Sequence, residues 1–273
     1  MSGVKTLPSR IYKYEALTAQ TLRNVKGQVL YFGSPRGFND PYDCALTPHV
    51  KALSDAEVES IRRYYLTQVP LSPGQRSEFE AASVEGLRMM FFHSAHSVIK
   101  DARDEFLNKR GVTCFSEVND DLLMWSHYGG RYKGVCLEFD TQVEPFDRIK
   151  PVSYLPKLPE IDVASLLLEA DDLNQVFELF CTKSKSWAYE REWRALHQVA
   201  GTNYIYRADA LTGVFFGPDI DDQSLEIVCL VLAGQNETVK FYRGFRSETE
   251  FKVNFAEFTY TSFLDAKRKG LRK

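Results

Sequence analysis

Val112-Thr113-Cys114-Phe115-Ser116 and Gly134-Val135-Cys136-Leu137-Glu138-Phe139 are the runs that decide the fold class. Both are rich in β-branched and aromatic residues, and both lack proline, so they read as strands. Between them a short helix is expected from about Asp120 to Tyr128. Working upstream, Gly111 stands where a helix stop belongs. Before it, a helical stretch runs from about Ser77 to Asn108, with Phe79, Leu87, Met90, Phe91, Val98, Ala102 and Phe106 at helical spacing. Ser54-Asp55-Ala56-Glu57 is a capping-box pattern that opens a further helix to about Gln68. Nearer the N-terminus, strands Ile11–Tyr14 and Val29–Ser34 flank a helix over Thr18–Lys26.

Downstream, Ile149–Tyr154 reads as a strand and Ile161–Lys183 as a helix with Leu166, Leu167, Leu173, Val176, Phe177 and Phe180 on its apolar side. Strand candidates Trp193–His197, Val214–Phe216, Val239–Phe245 and Asn254–Thr261 then surround a helix near Gln223–Ala233. Strands cluster around helical insertions instead of repeating a βαβ unit, so the expected class is α+β, with a mixed or mainly antiparallel sheet. One domain over 1–273, with a helical insertion at about 54–110, is the expected organisation.

Composition narrows the function. The 273 residues carry 34 Lys and Arg against 37 Asp and Glu, a net charge of −3, so no basic field advertises nucleic acid. No apolar run reaches the roughly 18–20 residues of a membrane span, and Met1–Arg10 has no apolar signal core. The five cysteines are scattered without a CxxC pair, which disfavours zinc and disulfide frameworks and fits a cytoplasmic protein. His93 and His96 lie three apart, but no carboxylate or cysteine completes a metal set, and no metal is expected. Phosphate-loop, dinucleotide-fingerprint, zinc-protease and nucleophile-elbow motifs are all absent.

Three polar-aromatic clusters remain. Ser34-Pro35-Arg36-Gly37-Phe38-Asn39-Asp40-Pro41-Tyr42-Asp43 has the chemistry of a tight turn, or of a ligand-contacting loop. Ser116 precedes Met124-Trp125-Ser126-His127-Tyr128-Gly129-Gly130, in which Trp125 and Tyr128 share a helix face that suits either the core or stacking on a flat ring. Trp187-Ala188-Tyr189-Glu190-Arg191-Glu192-Trp193-Arg194 sets two carboxylates two apart. In an extended segment both would point to one face and could divide catalytic labour, or form surface ion pairs.

These blocks, with Tyr12-Lys13-Tyr14 and Lys133–Phe139, resemble in order and type a bacterial domain-of-unknown-function family, family 2971. A more remote resemblance is to the ADP-ribosyltransferase superfamily, especially its toxin branches. There a first strand carries a basic residue that holds NAD, a second element carries a Ser or Tyr that packs the nicotinamide, and a late strand carries the catalytic Glu, often in Glu-x-Glu. The resemblance places Lys13 and Tyr14 first, Ser34 or alternatively Tyr128 second, and Glu190-Arg191-Glu192 third; Lys13 stands where Arg or His is usual.

It implies NAD as co-substrate and an ADP-ribosyltransferase-like fold and activity, or an NAD glycohydrolase. Glu192 would stabilise the ribosyl oxocarbenium and Glu190 would position the acceptor, a protein or a nucleic acid. Tyr14, Trp125 and Tyr128 would stack on the rings. Lys13 and Arg194 would contact the pyrophosphate, with Asn39, Asp40 and Ser116 completing the binding site. A toxin or phage-defence effector would use such chemistry. Two other classes stay open: a non-catalytic nucleotide- or peptide-binding module that acts with a cognate defence partner, and a metal-dependent nuclease built from Asp40, Asp43, Glu190 and Glu192.

Overall fold

The strand-forming runs collect into one eight-stranded sheet, seen in a computed structural model that describes residues 5–44, 49–168, 178–236 and 238–271. In chain order its strands are β1 (Arg10–Glu15), β2 (Gly111–Ser116), β3 (Val135–Asp140), β4 (Lys150–Pro151), β5 (Glu192–His197), β6 (Leu211–Phe216), β7 (Lys240–Arg246) and β8 (Val253–Phe258). Their spatial order is β8-β7-β6-β3-β1-β2-β5-β4. All neighbours are antiparallel except β6 and β7. Parallel neighbours need a crossover, and helix Asp222–Ala233 lies on that connection. The fold is therefore α+β with a mixed, mainly antiparallel sheet.

Chain contacts divide the protein into two compact units: unit one is Met1–Gly33, Gly111–Val152 and Ser186–Lys273, and unit two is Ser34–Arg110 and Ser153–Lys185. The helices expected at 54–110 belong to unit two, which starts earlier in the chain and takes in a second segment.

Unit one holds the sheet, and alternation gives it two faces. The first presents Ile11, Phe115, Leu137, Phe139, Trp193 and Val214 to a large core, which Val25 of helix Ala19–Gly27 and Val228 and Leu232 of helix Asp222–Ala233 complete. The second presents Tyr14, Cys136 and Phe215, packed with Met124 and Trp125 of helix Leu122–His127. Asp121 caps that helix, accepting from Leu123 N at 2.8 Å and Met124 N at 3.0 Å. Gly134 lets the chain enter β3 closely, since a Cβ there would stand 2.2 Å from the Glu15 carbonyl oxygen.

Thr113, on the first face of β2, has a buried hydroxyl without a hydrogen-bond partner. An unmet buried hydroxyl costs about 1–3 kcal/mol. Thr113→Val keeps the branched shape and deletes the polar atom. The urea midpoint is expected to rise; an unchanged or lower midpoint would mean that the hydroxyl is satisfied in solution.

Unit two is mainly helical, with helices Asp55–Gln68, Pro73–Ala81, Val84–Lys109 and Val163–Leu168. The capping box forms: Glu57 N donates to Ser54 Oγ at 3.3 Å, and Ser54 N donates to Glu57 Oε2 at 2.7 Å. The continuous helix expected over 77–108 is broken, because Ala82 and Ser83 are extended and Ser83 Oγ caps the next helix by accepting from Gly86 N at 3.1 Å. Serine competes for backbone donors in this way, and the apolar periodicity does not register it.

The expected helix Ile161–Lys183 also needs correction at its end, where Thr182–Ser184 is a strand paired in parallel with Ser153–Leu155. Its expected apolar residues Leu173, Val176 and Phe177 lie outside the described residues. The strand pairing buries Lys183, whose charge meets buried Asp43 at 3.2 Å. Among the described residues no helix is long and apolar enough to cross a membrane.

Candidate functional site

The Glu190-Arg191-Glu192 segment is not uniformly extended. Lys185–Glu190 forms 3-10 turns, Arg191 has φ +44°, and β5 starts at Glu192. A left-handed conformation costs a non-glycine residue about 1–2 kcal/mol. Backbone bonds brace it, from Arg191 N to the Ala188 carbonyl at 3.4 Å and from Glu117 N to the Arg191 carbonyl at 3.2 Å. The turn breaks the two-residue alternation, so the carboxylates reach their environments from different backbone types.

Glu192 is 3% exposed and Arg194 fully buried. Two apart on β5, they share the second sheet face, and the guanidinium grips the carboxylate twice, Nε to Oε1 at 2.7 Å and Nη2 to Oε2 at 3.1 Å. Such a pair is strong in geometry but costly in desolvation. Across the ladder Glu192 lies opposite Ser116, Ser116 opposite Tyr12, and Tyr12 opposite Glu138. Directly opposed residues share a face. Glu138, Tyr12, Ser116 and Glu192 therefore form a polar row across four strands, about 14 Å long at a strand spacing of about 4.8 Å.

Each member of the row is held. Ser116 Oγ donates to the Glu190 carbonyl at 2.7 Å and accepts from Val118 N at 3.2 Å. Glu138 Oε1 accepts from Thr212 Oγ1 at 2.7 Å. Burial first, and then the Glu138 charge, push the Tyr12 phenol well above its usual range, so it stays a neutral donor. Beside the row, the Tyr128 hydroxyl donates to Glu190 Oε1 at 2.7 Å. Arg10, two before Tyr12 and so on the same face, pairs with Asp140 at 2.8 Å and reaches Glu138 at 3.8 Å.

The structure thus gathers Ser116, Tyr128, Glu190, Glu192 and Arg194 from the sequence-based set. Tyr14 and Trp125 are close by but buried, their rings 5.2 Å apart edge to face. The Tyr14 hydroxyl donates to the Val118 carbonyl at 2.9 Å, and Trp125 Nε1 to the Asn119 carbonyl at 2.7 Å. Both rings belong to the packed core of unit one.

Lys13 is not part of the group. It lies opposite Leu137 and so faces the first side of the sheet, away from Glu192, where it pairs with Glu15 at 3.3 Å. Ser34, Asn39 and Asp40 belong to unit two. There Ser34 Oγ donates to the Leu107 carbonyl at 3.1 Å, Asn39 is exposed, and Asp40 accepts from Tyr42 N at 2.9 Å in an Asx turn.

Sequence reading missed Tyr12, Glu138 and Arg10. The spacing Arg10-x-Tyr12-x-Tyr14 was visible, but which face it joined depended on strand register. Among the described residues no group of three or more His, Cys, Asp and Glu side chains is placed to hold a metal ion. Chemically, a dry carboxylate locked by a guanidinium is suited to face a developing positive charge.

Residues 124–195 match the family model described as Protein of unknown function (DUF2971). That range includes Trp125, Tyr128, Glu190, Glu192 and Arg194, while the Tyr12–Tyr14, Phe38–Asp43 and Cys114–Ser116 blocks lie outside it. No curated protein and no solved structure matches the chain.

Proposed function

We propose that this is a cytoplasmic NAD-utilising protein of ADP-ribosyltransferase-like chemistry, with Glu192 as the carboxylate that stabilises the ribosyl oxocarbenium. The observation that carries the reading is the buried Glu192 carboxylate, fixed by Arg194 in one row with Ser116 and Tyr12. Cleavage of the nicotinamide–ribose bond builds positive charge on the ribose. A carboxylate already stripped of water and held in place needs no reorganisation to meet that charge.

In this reading Arg194 positions Glu192 instead of contacting phosphate. Arg10, the basic residue of β1 on the Glu192 face, takes the pyrophosphate role that the resemblance gives to Lys13. Glu190, oriented by Tyr128, positions the acceptor, a protein or nucleic acid struck by a toxin or phage-defence effector.

Glu192→Gln preserves the shape and removes the charge. NAD turnover, read by mass spectrometry of the products, is expected to fall about 100-fold or more, equivalent to a few kcal/mol of transition-state stabilisation. Turnover that survives in folded variant protein would sink the assignment.

One observation favours a second reading. The Ser116 side chain and the Arg194 guanidinium are fully buried and already bonded, as in a rigid module that binds a nucleotide or peptide without chemistry. Folded wild-type protein that binds NAD but forms no product, with or without cell extract as acceptor, would favour that module. The nuclease reading has no gathered set of metal-ligating side chains behind it among the described residues.

A further inference from the structure

The sheet face opposite Glu192 carries a cleft of about 220 Å³ in unit one, between helix Ala19–Gly27 and the strands. Leu137 and Phe139 of β3 form part of its floor, and half-exposed Tyr31 stands at its wall. Lys13 and Glu15 reach into it from β1, their charged atoms 3.3 Å apart.

Tyr206 lines it too. That residue is 3% exposed, with its ring held edge-on by Phe139 at 5.3 Å and Phe146 at 6.1 Å. Its hydroxyl makes no hydrogen bond among the described residues and is not sealed from solvent. Water can bond that hydroxyl in the cleft, and a ligand with a matching polar atom takes the water's place.

We propose that this cleft binds a nucleobase-class ligand: a neutral, planar heterocycle with a donor and an acceptor side by side on one edge. Volume sets the size. The cleft is below the roughly 300–1,000 Å³ of drug-sized sites, so its occupant has one or two rings. Charge sets the head group. Lys13 and Glu15 offer a donor beside an acceptor with no net charge, which matches an amino group next to a ring nitrogen and disfavours phosphate or a lone carboxylate. The apolar floor takes the ring face, and the Tyr206 hydroxyl takes the far polar atom. This site is independent of the proposed NAD chemistry, because Lys13 and Glu192 face opposite sides of the sheet.

The test uses the full chain and adenine as the probe, with toluene and inorganic phosphate as controls, followed by saturation-transfer NMR and calorimetry. Adenine is expected to bind. Lys13→Met should weaken it about tenfold or more, and Tyr206→Phe should weaken it as well, with circular dichroism unchanged in both. Glu15→Gln, which keeps shape and removes only the acceptor charge, gives a second reading should Lys13→Met fail to fold. Glu192→Gln is expected to leave adenine affinity unchanged. The proposal is overturned if adenine does not bind folded wild type, if toluene or phosphate binds as tightly, or if Glu192→Gln moves the affinity while Lys13→Met and Glu15→Gln do not.

Discussion

Arg194→Met is expected to lower the stability of unit one by about 3–5 kcal/mol, the usual loss when one partner of a buried ion pair is removed. Arg194 is fully buried and holds both oxygens of Glu192. A methionine fills much of the space but leaves a carboxylate out of water without its guanidinium. The signature is asymmetric. The double variant Arg194→Met with Glu192→Leu should regain much of the loss, since an apolar pair of similar volume has no charge to desolvate. Glu192→Gln keeps one acceptor for Arg194 but sets its amide NH2 against the second guanidinium donor and removes the countercharge, so it too should destabilise unit one. Urea unfolding of the three proteins measures this directly. A single-variant loss below about 1 kcal/mol would mean that the pair contributes little to holding β5. For the proposed NAD chemistry, the same series separates lost turnover from lost fold.

Trp125→Ala should cost a similar about 3–5 kcal/mol, through cavity formation. The indole is fully buried, 5.2 Å from the Tyr14 ring and 6.1 Å from the Phe255 ring. Its surroundings cannot collapse easily. Gly217 sits so close that a Cβ there would stand 3.0 Å from Trp125 Cζ3 and 2.2 Å from the Tyr132 carbonyl. The milder Trp125→Phe discriminates between roles. A core role predicts a lower melting temperature with the KM of the proposed NAD turnover unchanged. A ring that stacks on ligand predicts a raised KM with stability nearly intact. The first outcome is expected, because the Trp125 side chain is sealed and its Nε1 is committed to the Asn119 carbonyl.

Much of the fold was legible in residues alone. Phe115 and Leu137 announce strands by composition, and Ser54 with Glu57 announces a helix start by a mechanism that operates over four residues. What escaped had physical causes of longer range or weaker signal. Arg191 adopts a left-handed turn that sequence usually marks with Gly or Asn, so the Glu190–Glu192 spacing read as plain alternation. Lys13 and Tyr12 differ by one residue, and only the register of β1 against β2 and β3 decides which of them joins Glu192. Ser83 ended a helix that the apolar pattern carried through. The candidate carboxylates and Ser116 were found because their residue types carry the chemistry, and Tyr12 and Glu138 were missed because their importance is purely positional.

The central place of β1 has a consequence for biosynthesis. It is made before the other seven strands of the sheet, yet both of its neighbours come much later: Tyr14 and Val118, joined by a hydrogen bond, are 104 positions apart. At ribosomal speeds of about 5–20 residues per second, the nascent strand waits about 5–20 s for β2 and longer for β3. During that interval Ile11-Tyr12-Lys13-Tyr14 offers two unpaired edges to any other chain in reach, with the Lys13 charge among its few safeguards. Crowded polysomes, where identical nascent strands lie side by side, are therefore where this protein is most exposed to misassembly.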